Sequence, residues 1–169
     1  MTVSSPIEVG QEFEALVVFT DYARFTAISK KRGLGATANF LEQSAEITFD
    51  VVSAAGGTVV KYIGDASLIV FGAEQVDAGV AALIDLVATI GIDSRLNASA
   101  HFGLVRGVSL RGIEMPDVLG QAVNIAASLE REASRRGGVA LSPQAFRKLG
   151  PQMRKRFHRF RPPEFYLAN

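Results

Sequence analysis

The run Ala15–Thr20 (ALVVFT) limits the fold of this chain more than any other segment. An unbroken block of apolar and β-branched residues is typical of a strand that is buried on both faces of a sheet. Such a strand needs packing partners above and below the sheet, so we predict an α/β (α+β) fold. Asp21 follows directly, which places a carboxylate at the C-terminal end of this strand.

Helical spacing of apolar residues predicts three helices in the first half of the chain. Two short β-rich runs between the second and third helices are separated by Gly64-Asp65-Ala66, a turn of the kind that closes a β-hairpin. Asp65 is therefore expected at a hairpin tip. The helices are predicted at Phe25–Lys31, Thr37–Ala55 and Gln75–Ile92, and the hairpin strands at Thr58–Ile63 and Ser67–Phe71.

Short strands and helices are predicted to alternate in the second half of the chain. Strands at Leu96–Leu104 and Gly107–Leu110 are both bracketed by glycine. Asp117 stands where an N-cap belongs, ahead of a helix at Val118–Arg131. The remaining elements are a strand at Gly138–Leu141, a short helix from the Ser142-Pro143 cap to Leu149, and β segments near Phe157 and Phe165.

The predicted order, β-α-α-β-β-α-β-β-α-β-α-β-β, corresponds to a ferredoxin-like core with additions, in which a central, mostly antiparallel sheet is flanked by helices. The 169 residues show no shift in composition that would divide them. We expect one domain over residues 1–169, with its core from about residue 14 to residue 167.

Composition and charge exclude several classes of protein. No run of about 18 uncharged apolar residues is present to span a bilayer, and Met1–Gly10 lacks the basic start and apolar block of a secretory signal. The chain has no cysteine, which excludes disulfides, thiolate catalysis and cysteine-ligated metal. A net charge of +1 argues against nucleic acid as a partner. We expect a soluble cytoplasmic domain without a membrane segment in this chain.

Positive charge is concentrated between Arg131 and Arg161. Such a run is typical of a solvated helix face and a basic edge. The alternative is a surface that faces phosphate or a partner, and the sequence leaves both interpretations open. The ten basic residues are Arg131, Arg135, Arg136, Arg147, Lys148, Arg154, Lys155, Arg156, Arg159 and Arg161.

Asp21 and Asp65 are candidates for a metal site. Two carboxylates at the ends of adjacent strands repel each other unless a cation lies between them. Two aspartates without histidine or cysteine fit Mg²⁺ or Mn²⁺, because Mg²⁺ takes one or two carboxylates and completes its shell with water and phosphates. Two such ions can assist an in-line displacement at phosphorus. The alternative is that each aspartate only hydrogen-bonds to the backbone of its own turn.

Four blocks of sequence resemble, in order and spacing, the catalytic domain of the class III adenylate and guanylate cyclases. The resemblance extends from about Glu14 to Leu167 and implies the class III nucleotidyl cyclase fold. The blocks are VVFTDYARFT (Val17–Thr26), GGTVVKYIGDASLIVF (Gly56–Phe71), GLVRGVSLRG (Gly103–Gly112) and DVLGQAVNIAASLE (Asp117–Glu130).

The resemblance implies roles for the residues at matching positions. Asp21 and Asp65 correspond to the ligands of two Mg²⁺ or Mn²⁺ ions. Lys61 and Asp117 correspond to the pair that reads adenine, in which the lysine donates to N1 and the aspartate accepts from the exocyclic amine. ATP is therefore the implied substrate. Asn124 corresponds to the asparagine that orients the ribose or the reacting phosphate.

In the resembled family the site lies between two domains, with the metal aspartates on one and the base-reading pair and the asparagine on the other. Because this one chain carries both sets, the resemblance implies a head-to-tail homodimer with two equivalent sites. Any regulatory domains would lie outside this chain.

The chain departs from the family pattern on its phosphate side. Ser128 replaces the arginine that follows Asn124 by four residues in the family and stabilises charge on the triphosphate. Arg24 replaces a glycine in the turn before Phe25 and Thr26, where backbone amides are expected to cradle phosphates. We regard Arg24, Phe25 and Thr26 as candidate substrate-binding residues. The Arg24 side chain either blocks the phosphates or supplies the missing charge.

A further departure lies near the C-terminus. The family has a phosphate-binding lysine there, and KRFHRFRPPEFY contains no clear match. Arg159 is the nearest candidate, with Lys155 and Arg161 as alternatives. His101 and His158 lack a partner pattern for metal or acid–base chemistry and are expected to be structural residues.

The resemblance implies an adenylate cyclase that converts ATP to cyclic AMP and pyrophosphate, with the ribose 3′-hydroxyl attacking the α-phosphate. We expect reduced turnover because of Ser128 and Arg24. The alternative is a catalytically degenerate cyclase-homology domain that acts as a nucleotide-binding or regulatory dimerisation module. An RNA-binding sheet of similar topology is disfavoured because no strand carries the aromatic residues that stack on bases.

Overall fold

A computed structural model describes residues 7–90 and 95–168, apart from the side chain of Ser134. In chain order the elements are β1 (Glu12–Tyr22), α1 (Phe25–Arg32), α2 (Leu34–Ala54), β2 (Thr58–Ile63), β3 (Ala66–Gly72), α3 (Val76–Ile90), β4 (Leu96–Val108), β5 (Asp117–Leu119), α4 (Gln121–Arg136), β6 (Gly138–Leu141), α5 (Pro143–Lys148), α6 (Pro151–Arg154), β7 (His158–Phe160) and β8 (Phe165–Ala168).

The eight strands of the described residues belong to one sheet, in which seven follow the order β2-β3-β1-β4-β6-β8-β7 and β5 pairs with the end of β4. Only β4 and β6 are parallel among these pairs; the other pairs are antiparallel. The expected mixed fold, with a central, mostly antiparallel sheet flanked by helices, is confirmed. No helix among the described residues is long and apolar enough to cross a membrane.

Strand β1 is buried on both faces, as its composition predicts. Leu16 and Val18 pack in a core cluster with residues of α3 on one face of the sheet. Ala15 and Val17 pack on the other face with residues of α4. All four are fully buried. The carboxylate of Asp21, which lies within β1 near its C-terminal end, is therefore held by a rigid element with helices above and below it.

The predicted strands Leu96–Leu104 and Gly107–Leu110 are wrong as separate elements, because β4 runs without a break from Leu96 to Val108. Gly107 does not turn the chain. It lets the N-terminal segment approach, since a Cβ atom at this position would lie 2.3 Å from the carbonyl oxygen of Glu8. The backbone N–H of Gly10 donates to the carbonyl of Gly107 across this contact at 2.8 Å.

The predicted start of the fourth long helix is also wrong. Asp117 is not an N-cap but the first residue of β5, and α4 begins at Gln121 after Gly120. Val118 is 2% exposed and packs with the apolar residues of β1, β2 and β3. Burial of this side chain and pairing with β4 therefore override the helical pattern.

Smaller differences concern the ends of elements. Helix α2 begins at Leu34, three residues before the predicted start, and a 3₁₀ turn at Ala73–Gln75 precedes α3. The predicted end of α3 at Ile92 lies outside the described residues. Helix α6 was not expected from the sequence. The Ser142-Pro143 cap is confirmed, because Ser142 Oγ accepts a hydrogen bond of 3.1 Å from the backbone N–H of Ala145.

Candidate active site

Asp21 and Asp65 are brought together by the pairing of β1 with β3. Asp21 is the last residue but one of β1, and Asp65 lies in the turn between β2 and β3, after Gly64 with φ of +63°. Thr20 pairs with Ser67 in the ladder, and their hydroxyl oxygens are 2.5 Å apart. The hairpin tip therefore folds against the end of β1, where both carboxylates lie at one edge of the sheet.

The electrostatics of the pair fit a cation site. Burial, followed by the charge and a hydrogen bond of Asp65 and then the charge of Glu130, raises the pKa of Asp21 from 3.8 to about 7. Asp21 therefore keeps a proton up to about pH 7 when no cation lies beside it. A divalent ion with oxygen preference would replace that proton.

The donor set is small but suits the expected metal. The described residues contain no group of three or more His, Cys, Asp or Glu side chains that could enclose an ion. Mg²⁺ needs only one or two carboxylates, because water and substrate phosphates complete its octahedral shell. Asp21 and Asp65 therefore fit Mg²⁺ or Mn²⁺ bound together with a triphosphate, and fit a closed structural metal site poorly.

Asn97 is a buried polar residue beside this pair that the sequence did not single out. It is the ladder partner of Asp21, it is fully buried, and neither its Oδ1 nor its Nδ2 has a hydrogen-bond partner in the described part of the chain. Its other ladder partner is Gly138 of β6, which has no side chain. A buried amide without a partner lowers stability unless an ordered water satisfies it.

The polar residues that alternate along β4 explain why Asn97 was missed. Their spacing is typical of a strand with one solvated face, yet Ser99 and His101 are buried as well. Helix α4 and the start of α5 cover this face: Ser99 Oγ donates to the carbonyl of Ala126 at 2.9 Å, and His101 Nδ1 lies 2.9 Å from Ser142 Oγ. Burial lowers the pKa of His101, so its imidazole is neutral.

Lys61 and Asp117 form an ion pair between β2 and β5. Lys61 Nζ lies 2.5 Å from Asp117 Oδ2, while Asp117 Oδ1 accepts a hydrogen bond of 2.8 Å from the backbone N–H of Val118. The aspartate side chain is 11% exposed and the lysine side chain 42%. One fixed acceptor and one fixed donor are thus placed side by side at the surface, 56 residues apart in sequence.

Asn124 lies in the second turn of α4 and is exposed, so its amide is free to reach a ligand. Ser128 follows one turn later and is also exposed. The structure does not bring Asn124 into contact with the Asp21–Asp65 pair. Its role therefore remains a prediction that depends on a second chain.

The turn before α1 has an unusual backbone. Arg24 is in the left-handed region, with φ of +61°, and is the only residue other than glycine with positive φ in the described ranges. Its carbonyl accepts hydrogen bonds from Ala27 and Ile28, and its side chain is exposed. Phe25 is half-buried against Tyr22, with ring centroids 6.2 Å apart, and Thr26 is exposed. The family glycine is explained by this φ value, which costs about 1–2 kcal/mol for other residues.

The C-terminal candidates for phosphate binding are engaged with other side chains. Arg159 and Arg161 both pair with Glu164, at 2.5 Å and 3.4 Å. Lys155 donates to Gln152 at 3.2 Å. Each of the three side chains therefore has a hydrogen-bond partner among the described residues, a carboxylate for the two arginines and a neutral amide for Lys155.

Comparison with solved structures identifies the fold, whereas no protein-family model and no curated protein sequence matches the chain. A bacterial light-regulated adenylyl cyclase superposes with a TM-score of 0.84 at 22% identity, over 97% of this chain and 54% of the other. The adenylyl cyclase CyaB from P. aeruginosa superposes with a TM-score of 0.78 at 18% identity, over 94% of this chain and 95% of the other.

The guanylate cyclase domain of RhGC from Catenaria anguillulae, in complex with GTP, superposes with a TM-score of 0.79 at 20% identity, over 94% of this chain and 98% of the other. The chain spans about half the length of the light-regulated cyclases that it matches. These likenesses confirm the expected fold of a class III nucleotidyl cyclase catalytic domain. They include enzymes for both nucleotides, so they leave the base unassigned.

Proposed function

We propose that this chain is a nucleotidyl cyclase domain that converts ATP to cyclic AMP and pyrophosphate. The observation that carries the proposal is the Asp21–Asp65 carboxylate pair at the edge of a cyclase-like sheet, with a raised pKa that a cation would reverse. Asp21 and Asp65 hold two Mg²⁺ or Mn²⁺ ions in this proposal. When bound, such ions activate the ribose 3′-hydroxyl and neutralise the departing pyrophosphate.

The Lys61–Asp117 pair supports ATP as the substrate. The ammonium group donates to an acceptor such as N1 of adenine, and the carboxylate accepts from a donor such as its exocyclic amine. Guanine presents the opposite pattern on that edge. In the absence of a base the two side chains satisfy each other at 2.5 Å, which keeps them at the surface and ready to bind.

Exposed apolar residues support a head-to-tail homodimer. Tyr62 and Ile63 on the β2–β3 hairpin are 47% and 51% exposed, and the loop between β4 and β5 exposes Leu110, Ile113 and Met115 by 46–57%. Large apolar side chains exposed on these two segments support a protein interface. We propose that a second copy covers them, so that the carboxylate pair of one chain faces Asn124 and the base-reading pair of the other. The cysteine-free sequence fits work in the reducing cytoplasm.

The proposal is tested by incubating the purified protein with ATP and MnCl₂ and measuring cyclic AMP. The double variant Asp21→Ala, Asp65→Ala is the matched control, and product above that control is expected. No product above the control, from a protein that is folded by circular dichroism, would remove the cyclase assignment.

Mixing of variants tests the shared site. Asp21→Ala and Asn124→Ala should each be inactive alone as homodimers. A refolded equal mixture should regain about a quarter of wild-type activity, because half of the dimers are mixed and each mixed dimer retains one intact site. If the mixture stays inactive while the wild type is active, the two sets of residues do not come from different chains.

Two departures from the family pattern, at Ser128 and Arg24, favour a second candidate function without catalysis. Ser128 provides no positive charge where the family has arginine, and Arg24 occupies a backbone position that favours glycine. A catalytically degenerate module would bind ATP, or only a partner domain, and form no product. Binding of ATP measured by calorimetry together with a negative cyclic AMP assay would identify this alternative.

A further inference from the structure

Most of the basic segment near the C-terminus is accounted for by local contacts. The side chains of two of its ten basic residues, Arg131 and Arg156, have no hydrogen bond, ion pair or ring contact within residues 7–90 and 95–168. The partners of the others are Glu132 for Arg135, the Phe160 and Phe165 rings for Arg136, backbone carbonyls for Arg147 and Arg154, Glu14 and the Phe102 ring for Lys148, Gln152 for Lys155, and Glu164 for Arg159 and Arg161.

The two unpaired arginines differ in their surroundings. Arg131 lines a cavity of about 380 Å³ between α4, the start of α5 and the turn between β7 and β8, whereas Arg156 is an exposed residue outside it. Two buried polar side chains, His101 and Ser142, also line this cavity. A concave site with buried polar groups and one uncommitted cation is typical of a ligand site rather than of a solvated helix face.

The residues that line the cavity carry two positive and two negative charges, and the positive excess around it comes from Arg159 and Arg161 beside Glu164. Its two carboxylates are already paired, Glu132 with Arg135 at 3.4 Å and Glu164 with both Arg159 and Arg161. The charge of Arg131 is therefore not compensated by any side chain of the described ranges. An anion would be attracted into this space, and a guanidinium is suited to phosphate because its planar donors can bind two oxygens at once.

Helix geometry connects this cavity to the candidate active site. Asn124, Ser128 and Arg131 are spaced by four and three residues, so they lie on one face of α4. Arg131 stands about 10 Å along the helix axis from Asn124. The small side chain of Ser128 lies between them and lines the same cavity, which leaves the space beside Arg131 open.

We propose that this cavity binds the polyphosphate chain of a nucleoside triphosphate and that Arg131 is its phosphate-binding cation. The inference rests on the proposed function and adds to it, because it names a source for the positive charge that Ser128 lacks. Arg131 binds through direct contact with phosphate oxygens, one helical turn beyond Ser128.

The test measures binding by calorimetry in EDTA, so that the carboxylate pair contributes nothing through metal. Tripolyphosphate, ATP and adenosine are titrated into wild type, Arg131→Gln, Arg131→Lys and Arg156→Gln. Arg131→Gln should weaken tripolyphosphate and ATP roughly 10- to 100-fold, as expected for a charged hydrogen bond, and leave adenosine unchanged. Arg131→Lys should lie between, and Arg156→Gln should match the wild type.

Equal affinities of Arg131→Gln and Arg156→Gln for tripolyphosphate and ATP would overturn the inference, as would a wild type that binds neither ligand. Failure of the proposed function gives a different result: Arg131-dependent binding with no cyclic AMP formed in MnCl₂. Because the side chains of Arg131 and Arg156 are exposed and make no hydrogen bond or ion pair within residues 7–90 and 95–168, both glutamine variants should keep the wild-type unfolding temperature. A loss of affinity is then not a loss of fold.

Discussion

The carboxyl groups of Asp21 and Asp65 interact directly, by charge and by a hydrogen bond, although one lies at the end of β1 and the other in the turn between β2 and β3. Their contact depends on the register that pairs Thr20 with Ser67. The fold therefore holds two acidic groups close together, and their electrostatic repulsion is relieved by a bound cation or by a proton on Asp21.

This relationship predicts how stability depends on pH without metal. Asp21 has a pKa of about 7 in the folded protein and 3.8 as its ordinary value, so between these values the folded state binds a proton that the unfolded state releases. The contribution of Asp21 to stability therefore falls as pH rises from about 4 to about 7 and is level above that. We expect Asp21→Asn to lack this decrease, as measured by urea unfolding from pH 5 to pH 8 in EDTA.

The same variant distinguishes the effect of metal binding on stability from the effect of the proton on Asp21. At pH 8, MnCl₂ should raise the unfolding temperature of the wild type and leave Asp21→Asn unchanged, because a ligand that binds only the folded state stabilises it. If the unfolding free energies of the wild type and of Asp21→Asn change with pH in the same way, Asp21 does not bind the extra proton in the folded state.

Base selectivity depends on the Lys61–Asp117 pair. Lys61→Gln removes the charge and keeps a donor, whereas Lys61→Glu places a second carboxylate beside Asp117. We expect the preference for ATP over GTP, measured by competition binding, to fall roughly 10- to 100-fold in Lys61→Glu and less in Lys61→Gln. Lys155→Glu carries the same charge change at an exposed site and should keep the preference. A wild type that binds both nucleotides equally would remove the adenylate assignment.

The buried side chain of Asn97 is expected to lower the free energy of unfolding. Replacing its unpartnered, fully buried amide by leucine should raise the free energy of unfolding by about 1–3 kcal/mol, because the cost of two unsatisfied polar groups is removed. Ser99→Ala is the comparison: it deletes a made hydrogen bond to Ala126 on the same face and should destabilise. A loss of stability in Asn97→Leu would instead show that an ordered water satisfies the amide.

Gly107 is expected to be intolerant of a side chain. Gly107→Ala would bring a Cβ atom to 2.3 Å from the carbonyl oxygen of Glu8, and the resulting shift should cost roughly 1–3 kcal/mol in urea unfolding. Gly35→Ala is the matched control, because no atom lies within 4 Å of the added Cβ in α2, and alanine there should stabilise by about 0.5–1 kcal/mol. Equal effects would show that the N-terminal segment is not held against β4.

The elements that could be predicted are those whose signal is local. The buried strand β1, the β2–β3 hairpin and the Ser142 cap each follow from neighbouring residues. The hairpin and the cap are found close to their predicted bounds, whereas β1 begins three residues before and ends two residues after the predicted Ala15–Thr20. The errors arose where a distant segment decides the outcome. Glycine at position 107 suggested a break, but its role is the close approach of Glu8, and Asp117 suggested a cap, but it pairs with a lysine 56 residues away.

The sequence by itself determined which chemical groups this chain has: two strand-end aspartates, a lysine and an aspartate suited to adenine, and a basic segment near the C-terminus. It also determined that the chain has no cysteine. Only the tertiary structure decided which of them meet. The register of β1 with β3 joins Asp21 to Asp65. Within residues 7–90 and 95–168, burial leaves the side chain of Asn97 without a hydrogen-bond partner and packing leaves the side chain of Arg131 unpaired beside a cavity. Residue types follow from local sequence, whereas proximity, burial and charge balance depend on contacts between distant segments.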